Sequence, residues 1–407
     1  MKKSFYILLF ALYFTSCKKD TLSPDDSFTY TGALGDIIRI VEKDSLSVAE
    51  IQAMLPSEIS SLVTINNGVY SYIVEYKSVN KDGDTVKASG SIFVPMKDSF
   101  ALALVSYQHG TVLQKSDAPS IGRGSEYLLT LALAGADAVV TCVPDYLGLG
   151  TGDGLHLYLN PREEANSARD LMRCVRKLVA RDKIAHLNGQ VFLFGYSQGG
   201  HATMAAQRQL EKENPKEFKL VASAPMAGPY ALSRTTQFDV MLDSTFYPNP
   251  FYLPYLAVSL FHATNVFDTY NKVFKHPYDS LIPEIIDGYH SAGYANASFP
   301  YYVSNIVLDS MRTAIKNDPN HPIRLAAKEY DLVDDWTPTT PMRLYHCHGD
   351  DNVFFDNAVY ADSVFRLRGT DIELIDVGDS KHEACAPPAM LFARGWFSGL
   401  VRYDKIK

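Results

Sequence analysis

The 407-residue chain has no excess of positive charge, no zinc-type cysteine spacing and, beyond its N-terminus, no long apolar run. Its formal net charge is −8, whereas a nucleic-acid-binding surface needs a basic face, so we expect no nucleic-acid partner. No later segment is long and apolar enough to span a membrane. The five cysteines include no C-x-x-C pair. With 46% hydrophobic residues, the chain has the composition of a globular protein of one large or two small domains.

The N-terminus has the features of an export signal. Lys2 and Lys3 form a basic segment, and the apolar stretch 5–14 is too short to cross a bilayer. The sequence Phe14-Thr15-Ser16-Cys17 resembles the lipobox of bacterial lipoproteins, in which the cysteine becomes the lipidated N-terminus. We therefore expect a signal peptide over 1–17, lipidation at Cys17, a polar tether over 18–30, and a membrane-anchored location in the cell envelope. An ordinary cleaved signal or an uncleaved anchor is the alternative, and each takes the chain out of the cytoplasm.

Short apolar strands alternate with helical segments in the first half of the chain. The predicted buried strands are 101–107, 136–143, 190–194 and 220–226, and the predicted helices between them are 126–134 and about 164–182. Apolar strands separated by helices are typical of βαβ units. The pattern predicts an α/β protein with a mostly parallel sheet and helices on both faces.

The ends of the chain complete this sheet. Strands at 71–76 and 86–94, joined by a turn, predict an antiparallel hairpin at the N-terminal edge. Before them, residues 31–67 are predicted to be helical, because Leu34, Ile37, Ile38 and Val41 recur at helical spacing. After the first half, the predicted elements are strands 342–347 and 371–377, a helix at about 356–367, and a terminal helix from Pro387 to about Tyr403.

Residues 235–335 interrupt the alternation. They are dense in Tyr, Phe and Pro, as in 246–255, and show no clear strand–helix pattern. A long insertion between two sheet strands predicts a cap whose aromatic residues shape an apolar pocket. The alternative is a subdomain whose aromatic residues form only its own core. The predicted division is therefore a core over 31–234 and 336–407 with a cap insertion over 235–335.

The sequence Gly195-Tyr196-Ser197-Gln198-Gly199 matches the G-x-S-x-G nucleophile elbow. An apolar strand precedes it, and a helical segment follows it. A serine on such a tight turn presents its hydroxyl, and the small flanking residues let strand and helix pack closely. We predict that Ser197 is a catalytic nucleophile; a structural glycine-rich turn is the alternative.

A serine hydroxyl needs a histidine to take its proton and a carboxylate to orient that histidine. In this fold the chain order is serine, acid, histidine. Asp350 or Asp351 and then His382 follow Ser197 in that order, each just past a predicted strand. The acid-loop pattern Asp-x-x-Val counts back from Val353 to Asp350, which we prefer to Asp351. His382 is placed in a loop, and His201 is expected to lie on the helix or the pocket wall rather than to act as the base.

The oxyanion hole is expected to use two backbone N–H groups. One is that of Gln198, next to the nucleophile, and the other lies in the loop after the first buried parallel strand. That loop reads Gln108-His109-Gly110-Thr111, and we assign the second N–H to Thr111.

Together these segments resemble the secretory lipase and esterase branch of the α/β-hydrolases, which includes the fungal lipase A group and bacterial relatives. The resemblance rests on 109–111, 144–150, 195–200 and 349–353, and on His382 with Trp396-Phe397 downstream. It implies an α/β-hydrolase fold with an inserted lid and hydrolysis of a carboxylic ester or lipid without metal or cofactor. The chain departs from the family in carrying Phe354 where proline is usual.

Four cysteines follow Cys17: Cys142, Cys174, Cys347 and Cys385. Export permits disulfides, and four cysteines allow two bridges in three connectivities. Cys347 and Cys385 each lie three residues from a candidate catalytic residue, which would bring them together if those residues meet. Buried free thiols are an equal alternative.

Other chemistries fit the sequence less well. A serine peptidase or an acyltransferase would use the same triad. His346-x-His348-x-Asp350 could put three ligands on one strand face, as in a metal-dependent hydrolase. The glycine-rich stretch 148–154 lacks the helix that a dinucleotide loop requires. A non-catalytic surface protein that kept the fold is the remaining alternative.

Overall fold

The computed structural model describes residues 33–60, 63–243 and 245–406. The predicted signal peptide, Cys17 and the tether lie outside this part of the chain. No helix within the described ranges is long and apolar enough to cross a membrane.

The described residues form one mixed sheet of ten strands in the order β1-β2-β3-β5-β4-β6-β7-β8-β9, with β10 paired to β4. The strands are β1 (Ile37–Leu46), β2 (Val69–Val79), β3 (Thr85–Pro95), β4 (Phe100–Gln108), β5 (Val140–Pro144), β6 (His186–Tyr196), β7 (Lys219–Met226), β8 (Met342–His346), β9 (Ile372–Asp376) and β10 (Asp404–Lys405). Strands β1, β2 and β3 are antiparallel, and β5, β4, β6, β7, β8 and β9 run parallel to one another. The predicted α/β-hydrolase sheet with an antiparallel N-terminal edge is therefore confirmed.

Helices cover both faces of this sheet. They are α1 (Val48–Met54), α2 (Ser57–Ser60), α3 (Pro119–Gly122), α4 (Ser125–Asp137), α5 (Pro161–Asp182), α6 (Gln198–Glu213), α7 (Thr236–Leu242), α8 (Tyr252–Thr264), α9 (Tyr278–Ile285), α10 (Ala292–Ser298), α11 (Asp309–Asn317), α12 (Pro322–Lys328), α13 (Asp356–Leu367) and α14 (His382–Ser398). One apolar cluster joins α1, α4 and α14 to the sheet, and a second joins α5 and α6 to it. Each large apolar side chain buried there contributes about 1.5–3 kcal/mol, so both helix layers hold the sheet in place.

The predicted helix over 31–67 is wrong for most of its length. Residues 37–46 form the edge strand β1, which pairs with β2 from Ile37 opposite Tyr76 to Leu46 opposite Val69. Helix α1 begins only at Val48, where Ser47 and Glu50 form a capping box. Pairing with β2 buries Ile37 and Leu46, and this tertiary contact outweighs the helical spacing of the local sequence.

Two further boundaries differ from the prediction. Residue 136, placed at the start of a strand, belongs to α4, which runs to Asp137 before β5 begins at Val140. The terminal helix α14 begins at His382 and contains both Pro387 and Pro388, whereas the sequence analysis placed its start at the prolines. Because proline favours the first helical turn, the proline pair marked the wrong position. His382 is consequently the first residue of a helix and not part of a loop.

The segment between β7 and β8 contains the helices α7 to α12, and all six lie within 235–335. We call residues 235–335 the helical insertion. Eight of its seventeen Phe and Tyr residues are buried in one apolar cluster, which also includes Leu113, Tyr158, Leu159 and Leu232 from the remainder of the chain. The insertion therefore has its own core and packs against segments that follow β4, β5 and β7.

Glycines bring the turn between β6 and α6 into close contact with neighbouring backbone. A Cβ at Gly199 would lie 2.0 Å from the carbonyl oxygen of Gln108, and one at Gly200 would lie 2.2 Å from that of Met226. Rigid backbone atoms cannot move aside as a flexible side chain can. Only glycine at these two positions allows the turn to sit this close to the ends of β4 and β7.

The substitution Gly199→Ala is expected to lower the free energy of unfolding by about 2–3 kcal/mol, because the added methyl group overlaps the Gln108 carbonyl. Gly395→Ala is a matched control on helix α14, where a Cβ meets nothing within 4 Å. That change should leave stability unchanged or raise it by about 0.5–1 kcal/mol. Urea unfolding followed by circular dichroism measures both, and equal effects would show that the close approach does not constrain the turn.

Candidate active site

Ser197 lies on the turn between β6 and α6, where the sequence analysis placed it. Its backbone has φ 62° and ψ −122°, a conformation that costs a non-glycine residue about 1–3 kcal/mol. The Ser197 N–H donates to the Met226 carbonyl at 3.0 Å, and the Ser197 carbonyl accepts from His201 N–H at 3.2 Å. These bonds hold the strained turn in a position that leaves the side chain only 7% exposed.

His382 reaches Ser197 from the first turn of α14. Its Nε2 lies 2.8 Å from Ser197 Oγ, and its Nδ1 lies 2.6 Å from Asp350 Oδ2. Tyr196 donates its hydroxyl to the His382 carbonyl at 2.6 Å, and the two rings lie 5.0 Å apart. Three residues far apart in sequence thus form one buried hydrogen-bonded chain at the carboxyl edge of the sheet.

The Asp350 carboxylate is held by backbone and by side chains. Its Oδ1 accepts the N–H groups of Asn352 and Val353, each at 2.9 Å, and its Oδ2 faces His382 and His346. Burial alone would raise the pKa of Asp350, but the hydrogen bonds from His346 and His382 lower the pKa well below its usual value. Asp350 is therefore ionised at neutral pH and able to stabilise positive charge on His382.

Asp351, the alternative acid, has different partners. Its Oδ2 accepts from Lys381 Nζ at 2.9 Å, and its Oδ1 lies 3.4 Å from the backbone nitrogen of His382. The ring nitrogens of His382 face Asp350 and Ser197 instead. The geometry favours Asp350 as the acid and gives Asp351 contacts at the start of α14.

The two residues assigned to the oxyanion hole lie on segments that pack together. Gln198 is the first residue of α6, and the loop that contains Thr111 approaches the turn so closely that a Cβ on Gly199 would lie 2.8 Å from the His109 carbonyl. The Gly110 N–H donates to Glu126 at 3.2 Å, so this N–H is already used and is not available to an oxyanion. Thr111 Oγ1 lies 3.1 Å from the Tyr158 hydroxyl.

A comparison with family models finds a match to the secretory lipase model over residues 115–399, which is more than half of the chain. The chain belongs to the secretory lipase family. A comparison with curated proteins finds none that matches it.

Solved structures agree with this membership of the secretory lipase family. The rice cell wall degrading esterase LipA from Xanthomonas oryzae is 28% identical over 89% of this chain and 97% of LipA, with a TM-score of 0.78. Lipase A of Candida antarctica in its closed state is 15% identical over 90% of this chain and 83% of that lipase, with a TM-score of 0.67. The second likeness shows a shared fold alone.

In this member of the lipase family, a disulfide links the segment after β8, which contains Asp350, to helix α14, which begins at His382. Cys347 and Cys385 are bonded across a separation of 38 residues, as their distances from Asp350 and His382 suggested. Cys142 and Cys174 are buried free thiols, so the second possible bridge is not formed. Burial raises the pKa of the Cys142 thiol to about 12, which leaves it protonated and unreactive at neutral pH.

The proposed metal-ligand triplet does not converge. His346 is fully buried, and its Nε2 faces Asp350 Oδ2 at 3.1 Å and the Val353 carbonyl at 2.9 Å. His348 is half exposed, and its Nδ1 lies 2.8 Å from Asp376 Oδ2 instead. Across the described residues, no group of three or more His, Cys, Asp and Glu side chains is arranged to hold a metal ion.

A buried polar network behind Ser197 was missed in the sequence. Gln198 Nε2 lies 2.8 Å from His156 Nε2 and 3.0 Å from Glu164 Oε1, while Glu164 Oε2 lies 2.7 Å from His201 Nδ1. His201 Nε2 faces the Tyr330 carbonyl at 3.0 Å. His201 thus lies on the helix side, as expected, and is not the base. Neither His156 nor Glu164 belongs to a motif, so only the fold reveals the network.

Hydrogen bonds fix the protonation of His156. Its Nδ1 faces the Leu147 carbonyl at 2.9 Å and therefore carries the proton, so its Nε2 accepts from the Gln198 amide. Burial lowers the pKa of His156 from its ordinary value of 6.5 to about 3. The folded protein consequently keeps this ring neutral at pH values where the unfolded chain protonates it.

The lowered pKa of His156 predicts a loss of stability in mild acid. Its contribution is fully present above pH 6.5 and is lost as the pH falls from there toward 3. Between pH 7 and pH 5 the wild type should lose about 2 kcal/mol more unfolding free energy than His156→Gln, which cannot titrate. Urea unfolding at pH 7, 6 and 5 measures this difference, and parallel curves for the two proteins would contradict it.

Proposed function

We propose that this secretory lipase family member is a serine hydrolase of carboxylic esters, with Ser197 as nucleophile, His382 as general base and Asp350 as the acid that orients His382. The observation that carries the proposal is the hydrogen-bonded chain from Ser197 Oγ through both ring nitrogens of His382 to Asp350. Family membership and the likeness to an esterase at 28% identity support the choice of ester substrates.

In the first half-reaction, Ser197 Oγ attacks the ester carbonyl carbon while His382 Nε2 takes the hydroxyl proton. The resulting imidazolium is stabilised by the ionised Asp350, whose Oδ2 accepts the Nδ1–H at 2.6 Å. The bond to the alcohol oxygen then breaks, and His382 returns its proton to that oxygen. The alcohol leaves, and the acyl group remains on Ser197.

In the second half-reaction, a water molecule attacks the acyl carbonyl and His382 takes its proton. The bond to Ser197 Oγ breaks, the serine regains a proton from His382, and the carboxylic acid is released. The negative oxygen of each tetrahedral intermediate is assigned to the N–H groups of Gln198 and Thr111. Helix α6 begins at Gln198, so its N-terminal partial positive charge adds to this stabilisation.

The helical insertion is proposed to act as a cap over Ser197. Ser197 lines a cavity of about 20 Å³ together with Tyr247, Tyr252 and Leu256 of the insertion and Tyr158 of the core. A cavity of that size holds about one water molecule and excludes a long acyl chain. Short acyl groups therefore need the least displacement of these side chains.

The protein is proposed to be exported and held at a membrane by lipid on Cys17. The secretory lipase family and the disulfide between Cys347 and Cys385 support export, and the motif around Cys17 is the basis for the proposed lipid anchor.

The first test is turnover of p-nitrophenyl acetate, butyrate, octanoate and palmitate by the chain from residue 18 onward, beside Ser197→Ala. We expect Ser197→Ala to lose at least about 10³-fold in kcat, because the nucleophile is gone. Acetate and butyrate should be turned over faster than palmitate, because of the small cavity. EDTA should have no effect. Ester turnover that survives in Ser197→Ala would overturn the proposal.

A second test separates the two candidate acids. Asp350→Asn should lower kcat by about 10⁴-fold, because the amide no longer orients or stabilises the protonated ring. Asp351→Asn has the same change in charge and size, and it should stay within about tenfold of wild type because Asp351 contacts Lys381, the Asn352 side chain and the His382 backbone but not the His382 ring. Steady-state kinetics on p-nitrophenyl butyrate measures both, and the reverse order would move the acid role to Asp351.

A further inference from the structure

His346 is a second histidine on the oxygen of Asp350 that faces His382. It is the last residue of β8, four residues before Asp350, and it is fully buried. Its Nε2 lies 3.1 Å from Asp350 Oδ2 and 2.9 Å from the Val353 carbonyl. Both neighbours are hydrogen-bond acceptors, so Nε2 must carry a proton.

The other ring nitrogen determines the charge of His346. Its Nδ1 is buried and has no hydrogen-bond partner among the described residues, and the ring packs edge-on against Phe355 with centroids 5.4 Å apart. A proton on Nδ1 would be a buried donor without an acceptor, which costs the full desolvation of that group. His346 therefore acts on Asp350 through Nε2 as a hydrogen-bond donor, and its Nδ1 has no contact within the described ranges through which it could act on the carboxylate.

We propose that His346 is a positioning residue that shares the Oδ2 atom of Asp350 with His382 and thereby limits how strongly Asp350 holds the His382 imidazolium. The proposal rests on the proposed serine hydrolase function. Because two N–H groups donate to the same carboxylate oxygen, each hydrogen bond is weaker than it would be if that group were the only donor. Loss of the His346 bond would let Asp350 bind His382 more tightly in its protonated form, in which it cannot accept the serine proton.

The pKa of Asp350 agrees with this geometry. Burial raises the pKa, and the hydrogen bond from His346 is the largest of the influences that lower it, followed by that from His382. His346 thus helps to keep the fully buried carboxylate ionised.

Other titratable groups around Asp350 do not replace His346. Burial raises the pKa of each phenol that faces the carboxylate, so each stays neutral at working pH: Tyr196, Tyr230, Tyr247 and Tyr252. Asp351 is paired with Lys381, and Glu383 faces Tyr252. Only the two histidines place N–H groups on Oδ2 among the hydrogen bonds of the described residues.

The test compares three substitutions at one position. His346→Gln places an amide N–H near the Nε2 position and should keep the bond to Asp350. His346→Asn places its amide near Nδ1 and is too short to reach, and His346→Leu has no donor. For Asn and Leu we expect the acid limb of the kcat/KM profile to move up by about half a pH unit or more, while kcat and KM on the plateau above the limb change little, because only the protonation of His382 is altered. His346→Gln should keep the wild-type limb.

Two controls separate this role from packing. His348→Gln changes the exposed histidine two residues along, which contacts Asp376, and should leave the acid limb in place. Thermal unfolding of every variant reports whether it folds. The proposal is overturned if folded His346→Leu keeps the wild-type acid limb of the kcat/KM profile. It is also overturned if His346→Gln shifts that limb as far as His346→Leu does.

A further measurement uses the wild-type protein and so does not depend on whether a variant folds. In ¹⁵N-histidine NMR spectra of the wild type at neutral pH, His346 should carry a proton on Nε2 that is hydrogen-bonded to Asp350. An Nε2 atom without a proton overturns the proposal. This readout does not depend on turnover, whereas survival of ester hydrolysis in Ser197→Ala would refute the hydrolase function itself.

Discussion

The buried carboxylate of Asp350 is the interaction on which the rest of this site depends. An ionised acid with 6% exposure is stable only if hydrogen bonds replace its lost hydration. The backbone of Asn352 and Val353 provides two of these bonds, and His382 and His346 provide the others. The same four hydrogen bonds that stabilise the buried charge also fix the orientation of the Asp350 carboxylate. The orientation of the His382 ring, with Nε2 toward Ser197, follows from this arrangement.

The sheet brings these groups together because β6, β8 and β9 are parallel and end at one edge. The turn after β6 carries Ser197, the loop after β8 carries Asp350, and the segment after β9 leads to His382 at the start of α14. The disulfide from Cys347 to Cys385 ties the second and third of these segments. Gln237 and Tyr247 of the helical insertion donate hydrogen bonds to the Asn352 carbonyl, so the insertion also supports the loop that contains Asp350.

Local sequence predicted the sheet and most of its strands. Buried parallel strands are short apolar runs, so they can be recognised without knowing which strands lie beside them. It failed at residues 37–46, where apolar residues at helical spacing form an edge strand paired with β2. It also failed at the start of α14, which the proline pair placed too late. Both errors fall where packing between distant segments decides between two locally acceptable conformations.

The sequence by itself determined the fold class, the elbow around Ser197 and the chain order of the proposed catalytic residues, because each depends on short motifs read along the chain. The tertiary structure decided what depends on distances between segments. It placed Asp350 rather than Asp351 on the His382 ring, joined one cysteine pair and left Cys142 and Cys174 free, and put His346, His156 and Glu164 into buried networks. Hydrogen bonds act over about 3 Å, and only the folded chain brings residues more than 30 positions apart within that range.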